Sequence, residues 1–215
     1  MSLLMDATYK TRPVLNDASP VRHATVADRA AISHTLALAF HDDPVKAHLI
    51  GGRSVSAQKV TPFFTAFQKI QLPHGHVYTT HGHEAAALWA PPGQWKIPFS
   101  QVVRNTPTFL KLYGWRLAPN LGVLSTLEKA HEAQAPEPHY YLEFIGTHPD
   151  HRGKGFAAAL MQPMMDRADQ EGVGMYLENS KEQNKAFYGR FGFEVQRELT
   201  LRNGPSMWLM WRAPR

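Results

Sequence analysis

Residues 139–172 leave a folding chain few choices. A nine-residue, almost wholly apolar run, "HYYLEFIGT", is followed by "HPDHRGKG" and then by "FAAALMQPMMDRADQE", closed by Gly172. An apolar run of this length bounded by turn residues reads as a buried strand, and the segment from Gly155 to Gly172 reads as a helix. The first turn of a helix has unpaired N–H groups with the positive end of the helix dipole behind them. Gly153 and Gly155 let that backbone take positive φ and come close to a bulky anion, while Arg152 and Lys154 add charge. The loop reads as a phosphate cradle. It is not a Walker loop, since the Gly-Lys-Ser/Thr end is missing. Nor is it a dinucleotide loop, since position 158 is alanine. Pro163 falls inside the helix and cannot donate to the carbonyl of Ala159, which predicts a kink or local widening there.

The rest of the chain extends this pattern. "GMYLEN" at 174–179 reads as a strand, 181–191 as a short helix ended by Gly192, and "FEVQRELTL" and "SMWLMWR" as a strand pair turning at Asn203-Gly204-Pro205. Strand–helix–strand–helix–strand–strand predicts an α/β (α+β) fold: a mixed, mostly antiparallel central sheet flanked by helices. Upstream, 1–19 reads as a lead-in with Pro13 and Pro20 as breakers, and 21–25 as a strand. A helix follows Asp28, with Ile32, Leu36, Ala39 and Phe40 at helical spacing, and "HDDP" at 41–44 stops it. A second helix spans about 55–71. A hairpin covers 75–80 and 84–90, turning at His81-Gly82-His83. Residues 97–135 are helical in pattern, with breaks expected near Pro107 and Pro119. The expected organisation is one domain over 20–215 with a helical insertion at about 97–135.

Composition narrows function by exclusion. The chain of 215 residues has no cysteine, so disulfides, thiolate catalysis and zinc–thiolate sites are ruled out. Its net charge is +5, yet the basic residues are scattered with no run of five. A small polyanionic ligand is expected rather than nucleic acid. No apolar run approaches the roughly 18 residues that span a bilayer. "MSLLMDATYKTRP" lacks a signal-peptide layout, so a cytoplasmic protein without membrane attachment is expected. The pairs His74/His76 and His81/His83 have ligand-like spacing, but no carboxylate cluster accompanies them and no metal site is expected. Trp89, Trp95, Trp115 and Tyr113 read as core or pocket wall.

With the cradle in hand, the sequence resembles the GNAT superfamily of acetyl-CoA-dependent N-acetyltransferases. The family signature Q/R-x-x-G-x-G/A is matched by Arg152, Gly155 and Ala157, after the lead "HPDHR". A second feature, an Asn and a Tyr four apart before an aromatic-Gly-aromatic turn, is matched in "NKAFYGRFGF" by Asn184, Tyr188 and Phe191-Gly192-Phe193. The final third, with "VRHATVADRAAISHTLALAFHDDP" and "ALWAPPG", looks like the puromycin N-acetyltransferase type, whereas 95–138 gives little guidance.

The resemblance implies that the pyrophosphate of acetyl-CoA rests on the backbone of Arg152, Gly153, Lys154, Gly155, Phe156 and Ala157. It implies that the pantetheine arm runs along Ile145, Gly146 and Thr147, bonded as an added strand would be. It further implies an Asn184 contact to that arm and a Tyr188 hydroxyl near the sulfur as general acid. Packing beside Phe187 and Phe191 is the other reading of Tyr188. Glu143 is the one formally charged residue in its strand. A carboxyl there is either partnered or raised in pKa by burial, and it reads as general base or as a structural ion pair. Glu178, at the end of the next strand, is its rival. The expected activity is acetyl transfer to a primary amine of a small molecule, by direct attack within a ternary complex. A protein or peptide N-acetyltransferase and a non-catalytic acyl-CoA-binding module are the alternatives, and a monomer or homodimer is expected.

Overall fold

The computed structural model describes residues 20–52, 56–136 and 138–215. The expected lead-in at 1–19 lies outside the described residues. Seven strands form one sheet: β1 (Val21–His23), β2 (Val77–Thr80), β3 (Ala85–Ala90), β4 (His139–Thr147), β5 (Gly174–Asn179), β6 (Glu194–Thr200) and β7 (Ser206–Arg212). Their spatial order is β1–β2–β3–β4–β5–β7–β6. All neighbours are antiparallel except the parallel pair β4–β5. The helices are α1 (Arg29–Ala39), α2 (Pro44–Ile50), α3 (Ala57–Gln71), α4 (Phe99–Tyr113), α5 (Leu117–Gln134), α6 (Phe156–Glu171) and α7 (Lys185–Gly189). Among the described residues no helix is long and apolar enough to cross a membrane.

Two packed faces explain why the central strands are apolar throughout. Ala85, Ala87 and Trp89 of β3 and Leu142 of β4 pack on Leu160, Met161 and Met164 of α6. Ala86 and Leu88 turn to the other face, against Ile32 and Leu36 of α1 and Val60 and Phe64 of α3. Each large side chain buried this way contributes about 1.5–3 kcal/mol. Farther along that second face, Leu127 and Ala130 of α5 cover Tyr141, Tyr176 and Leu209. At the sheet edge Asp28 ties β1 to the β2–β3 turn. It accepts from Arg22 at 2.7 and 2.8 Å and pairs with His83 Nε2 at 2.7 Å. Chiefly through the Arg22 bond, its carboxyl is held well below the usual range.

The register of β4 on β3 contains one irregularity. Leu88 pairs with Phe144, but the next residue, Trp89, pairs with Leu142. Glu143 is therefore the extra residue of a β-bulge. The packing agrees: Leu142 faces α6, while Phe144, two positions on, faces α1 and α3. An unbroken strand would put both on one side. Phe144 is held past the bulge by Phe40, Phe63, Phe64 and Phe67, with ring centroids 5.0–5.9 Å away and near-perpendicular planes.

Several expected boundaries differ. "HDDP" does end α1, but Asp43 also starts an unexpected helix, α2, as its N-cap with Pro44 at N1. The region 97–135 breaks at Gly114, with φ 56 and ψ −132, rather than at its prolines. Pro107 lies inside α4, which continues past it, and Pro119 sits in the first turn of α5, where no N–H is needed. The helix expected at 181–191 is shorter: a 3-10 turn over Glu182–Asn184, then α7. α6 spans Phe156–Glu171 with Pro163 inside it, where the sequence places it.

Close packing of α1 on β4 fixes Gly146. A Cβ added there would lie 2.7 Å from Ala39 Cβ and 3.1 Å from Leu36 Cδ2. Gly146→Val should destabilise the fold by about 1–3 kcal/mol through overpacking. Urea unfolding reads this as a lower midpoint at unchanged slope; an unchanged midpoint would contradict the contact.

Candidate active site

β4 and β5 pair only from His139↔Gly174 to Leu142↔Leu177, although β4 continues to Thr147 and β5 to Asn179. Beyond Leu142 the two strands fork. The fork opens into a cavity lined by Glu143, Phe144 and Ile145 on one prong and Glu178 and Asn179 on the other. Ala39, Phe40 and Asp43 close it from one side, and Ser180, Lys181, Asn184 and Tyr188 from the other. The bulge and the fork thus meet at Glu143.

The glycine loop lies at the far end of β4. Gly153 and Gly155 have φ of +78° and +81°, and a Cβ built on either meets nothing within 4 Å. Open space therefore lies before the N-terminus of the 16-residue α6, whose first-turn N–H groups have no partner within the helix. Arg152 turns toward α1: its Nη2 donates to the Ala39 carbonyl at 3.1 Å. Lys154 is exposed beside His151, at 3.3 Å. Among the described residues, the β5-facing edge of β4 past Leu142 has no strand beside it. Such an edge is the kind an extended acyl-pantetheine arm would pair with, and such a loop the kind a pyrophosphate would enter. Ile145, Gly146, Thr147 and residues 152–157 would hold such a group by their backbones, with Asn184 across the cavity.

Tyr188 is 8% exposed, and its ring packs in near-perpendicular contact with Phe187 at 5.1 Å. Burial, and then the nearby Asp43 carboxylate, push its phenol above the ordinary value. The phenol keeps its proton at every working pH. Glu143 bonds a neutral amide rather than a cation: Gln71 Nε2 donates to its Oε1 at 2.8 Å. Its Oε2 is buried without a partner. Among the described residues Glu143 forms no ion pair, the other role its sequence position allowed. Burial pushes the Glu143 carboxyl up to about 8, opposed by the Gln71 bond and helped by the charge of Glu178. Glu178 rises to about 7, also by burial, against bonds from Tyr141 Oη at 3.2 Å and Tyr176 Oη at 3.4 Å.

Sequence reasoning missed Gln71, Asp43, Ser180 and Lys181 here. Gln71, 1% exposed, orients Glu143. Asp43, 5% exposed, accepts from the Lys46 N–H at 2.7 Å and from the Ser180 hydroxyl. Lys181 Nζ reaches Asp42 Oδ1 at 2.7 Å, so two bonds tie the α1–α2 loop to the end of β5. Only Asp43 carried a local signal, an aspartate before proline at a helix start, and it was read as a stop. Of the histidines, His83 serves Asp28. His131 stacks on Trp95 at 3.9 Å, and burial pushes it down to about 3. Among the described residues no group of three or more His, Asp or Glu gathers as for a metal. Trp89 is core; Trp115, 80% exposed, is neither core nor wall.

Residues 113–193 match the acetyltransferase (GNAT) family, a span holding β4, the glycine loop, α6, β5 and α7. An uncharacterised N-acetyltransferase of Schizosaccharomyces pombe is 27% identical over 175 residues, 78% of this chain and 71% of that protein. In fold the chain is similar to the histone acetyltransferase HPA2 and related acetyltransferase from Corynebacterium glutamicum. The TM-score is 0.65 at 23% identity, covering 92% of this chain and 97% of that one. It is also similar to the mosquito arylalkylamine N-acetyltransferase like 5b, with TM-score 0.63 at 14% identity over 90% and 98% of the two chains.

The raised carboxyl has a consequence for stability that needs no substrate. Glu143 holds its proton to about 8 in the fold against 4.5 ordinarily. Its contribution is fully present below 4.5 and is lost as pH rises through about 8. Glu143→Gln, which cannot ionise, should gain melting temperature relative to the wild type between pH 5 and pH 9. Parallel profiles for the two proteins would show that Glu143 is not held protonated.

Proposed function

We propose that this chain, an N-acetyltransferase of the GNAT type, moves the acetyl group of acetyl-CoA onto the primary amine of a small molecule. The observation that carries the reading is the fork: the open edge of β4, the bulged Glu143 and the Tyr188 phenol border one cavity, with the glycine loop at the end of the same strand. Acetyl-CoA supplies the activated acyl group as a thioester.

Each residue has a task in this reading. The β4 edge and the loop backbone bind and orient the extended arm. Glu143 takes a proton from the acceptor ammonium at its free Oε2. The carboxyl rests high, but a cation arriving beside it favours the ionised form and lowers it. Tyr188 donates its hydroxyl proton to the departing sulfur. The burial that raises a phenol raises a thiol too, so donor and acceptor stay matched in one cavity. No cysteine is available for an acyl-enzyme, which leaves direct attack of the amine. The C–S bond breaks as the C–N bond forms, sulfur leaves as a thiol, and one proton passes to solvent.

The helices between β3 and β4 support a small acceptor over a protein. Leu112 of α4 belongs to the cluster around Phe144, and Ala130 of α5 to the one around Tyr141. Glu143 lies between those two covered positions, within reach of a side-chain-sized group. The likeness to the puromycin type fits a small amine as well. Work in the cytoplasm by a single domain over 20–215 is part of the same proposal.

A thiol-release assay over a panel of amines tests the activity, with aminonucleosides, amino acids and peptides as arms. Tyr188→Phe keeps the ring and removes one hydroxyl. Turnover should fall by roughly 10²–10⁴. The KM for acetyl-CoA should stay near the wild-type value, since packing and the Asn184 wall remain. Wild-type turnover in Tyr188→Phe would remove the hydroxyl from the reaction, and turnover of peptides alone would overturn the small-molecule acceptor.

A further inference from the structure

The fork cavity is rich in hydrogen-bond acceptors. Three carboxyls, those of Asp43, Glu143 and Glu178, border it. Two of the donors nearby are already used: the Ser180 hydroxyl is given to Asp43, and Lys181 Nζ to Asp42. Behind Glu143, Gln71 is 1% exposed and uses its amide N–H on Glu143 Oε1. Its own Oε1 and Glu143 Oε2 are both buried with no hydrogen-bond partner. An unpartnered buried acceptor costs about 1–3 kcal/mol. A ligand N–H donor that reaches Glu143 removes that cost at the carboxyl.

The second carboxyl sits at a matched position on the other prong. Leu142 and Leu177 are the last parallel pair, so Glu143 and Glu178 are the first residues beyond it on each strand. Paired strands lie about 4.8 Å apart, and these are diverging, so the backbones of the two residues stand at least a strand spacing apart across the opening. Glu178 receives only the phenols of Tyr141 and Tyr176, at 3.2 and 3.4 Å, both long for O–H···O bonds. Its capacity for a charged donor is unspent.

We infer that the acceptor is a small amine with a second positive charge a few methylenes away, such as a short diamine. One ammonium meets Glu143, gives up its proton there and is acetylated. The other stays charged and is held by Glu178. Each carboxyl has a reason to be where it is: a lone base would not need a second acid on the facing strand. The inference rests on the acetyl transfer proposed above and names the class of substrate for that site.

The test uses the full chain with acetyl-CoA and follows thiol release for 1,4-diaminobutane, butylamine and 4-aminobutyrate. The three share a primary amine on a four-carbon chain and differ only in the charge at the far end. The kcat/KM for the diamine should exceed that for butylamine by about tenfold or more, as one charged hydrogen bond allows. It should be lowest for 4-aminobutyrate. Glu178→Gln should bring the diamine-to-butylamine ratio close to one. Equal kcat/KM for diamine and butylamine in the wild type overturns the inference without any variant and leaves acetyl transfer standing. A preference that survives in Glu178→Gln overturns the role given to that residue. Thiol release from none of the three overturns the short-diamine acceptor, while release from other amines of the panel would still uphold acetyl transfer.

Discussion

β4 carries one residue more than β3 between the partners of Leu88 and Trp89, and much of the site follows from it. The extra residue breaks the two-residue alternation of the strand, so Leu142 and Phe144 anchor in opposite layers. Four phenylalanines from α1 and α3 hold Phe144 in near-perpendicular contacts, each worth about 0.5–1.5 kcal/mol beyond its buried area. Those contacts keep β4 on the α1/α3 side while β5 continues on its own line. The strands part after Leu142, and the residue caught at the parting is Glu143. Base candidate, unpaired strand edge and cavity are thus consequences of one register shift.

The remaining walls are local solutions fastened to that fork. Gly155 begins α6 with a positive φ and leaves the helix N-terminus open. Asp43 begins α2 and, through Ser180, fastens the α1–α2 loop to the end of β5. The same Asp43 carboxylate helps to keep the Tyr188 phenol protonated. Burial does the rest of the tuning, raising both glutamates and the tyrosine by penalising their charged forms. A cation entering such a cavity meets carboxyls that ionise in response to it.

Features that depend on neighbours in sequence were legible before the fold was known. β4, β5 and β7 fall where apolar runs bounded by turn residues put them, and the glycine loop declared itself because only glycine takes its φ angles freely. Glu143 stood out as one charge in an apolar strand. What depends on tertiary approach stayed hidden. Nothing local tells that β7 inserts between β5 and β6, or that Gln71 meets a strand 72 residues away. The prolines misled in a physical way. A proline costs a helix little in its first turn, and elsewhere a bond and a clash that packing can offset, so α4 runs through Pro107 while Gly114 makes the break. α2 was missed because seven residues carry too little periodicity to read.

The central claim is that the forked edge of β4 and the glycine loop together receive the acyl donor. Hydrogen exchange of backbone amides, with and without acetyl-CoA, tests it most directly, because both contacts are made by N–H groups. Slowed exchange is predicted at 143–147 and at 152–157, with α4 at 99–113 unchanged. Protection confined to α4 and α5, or none along β4, would contradict the account.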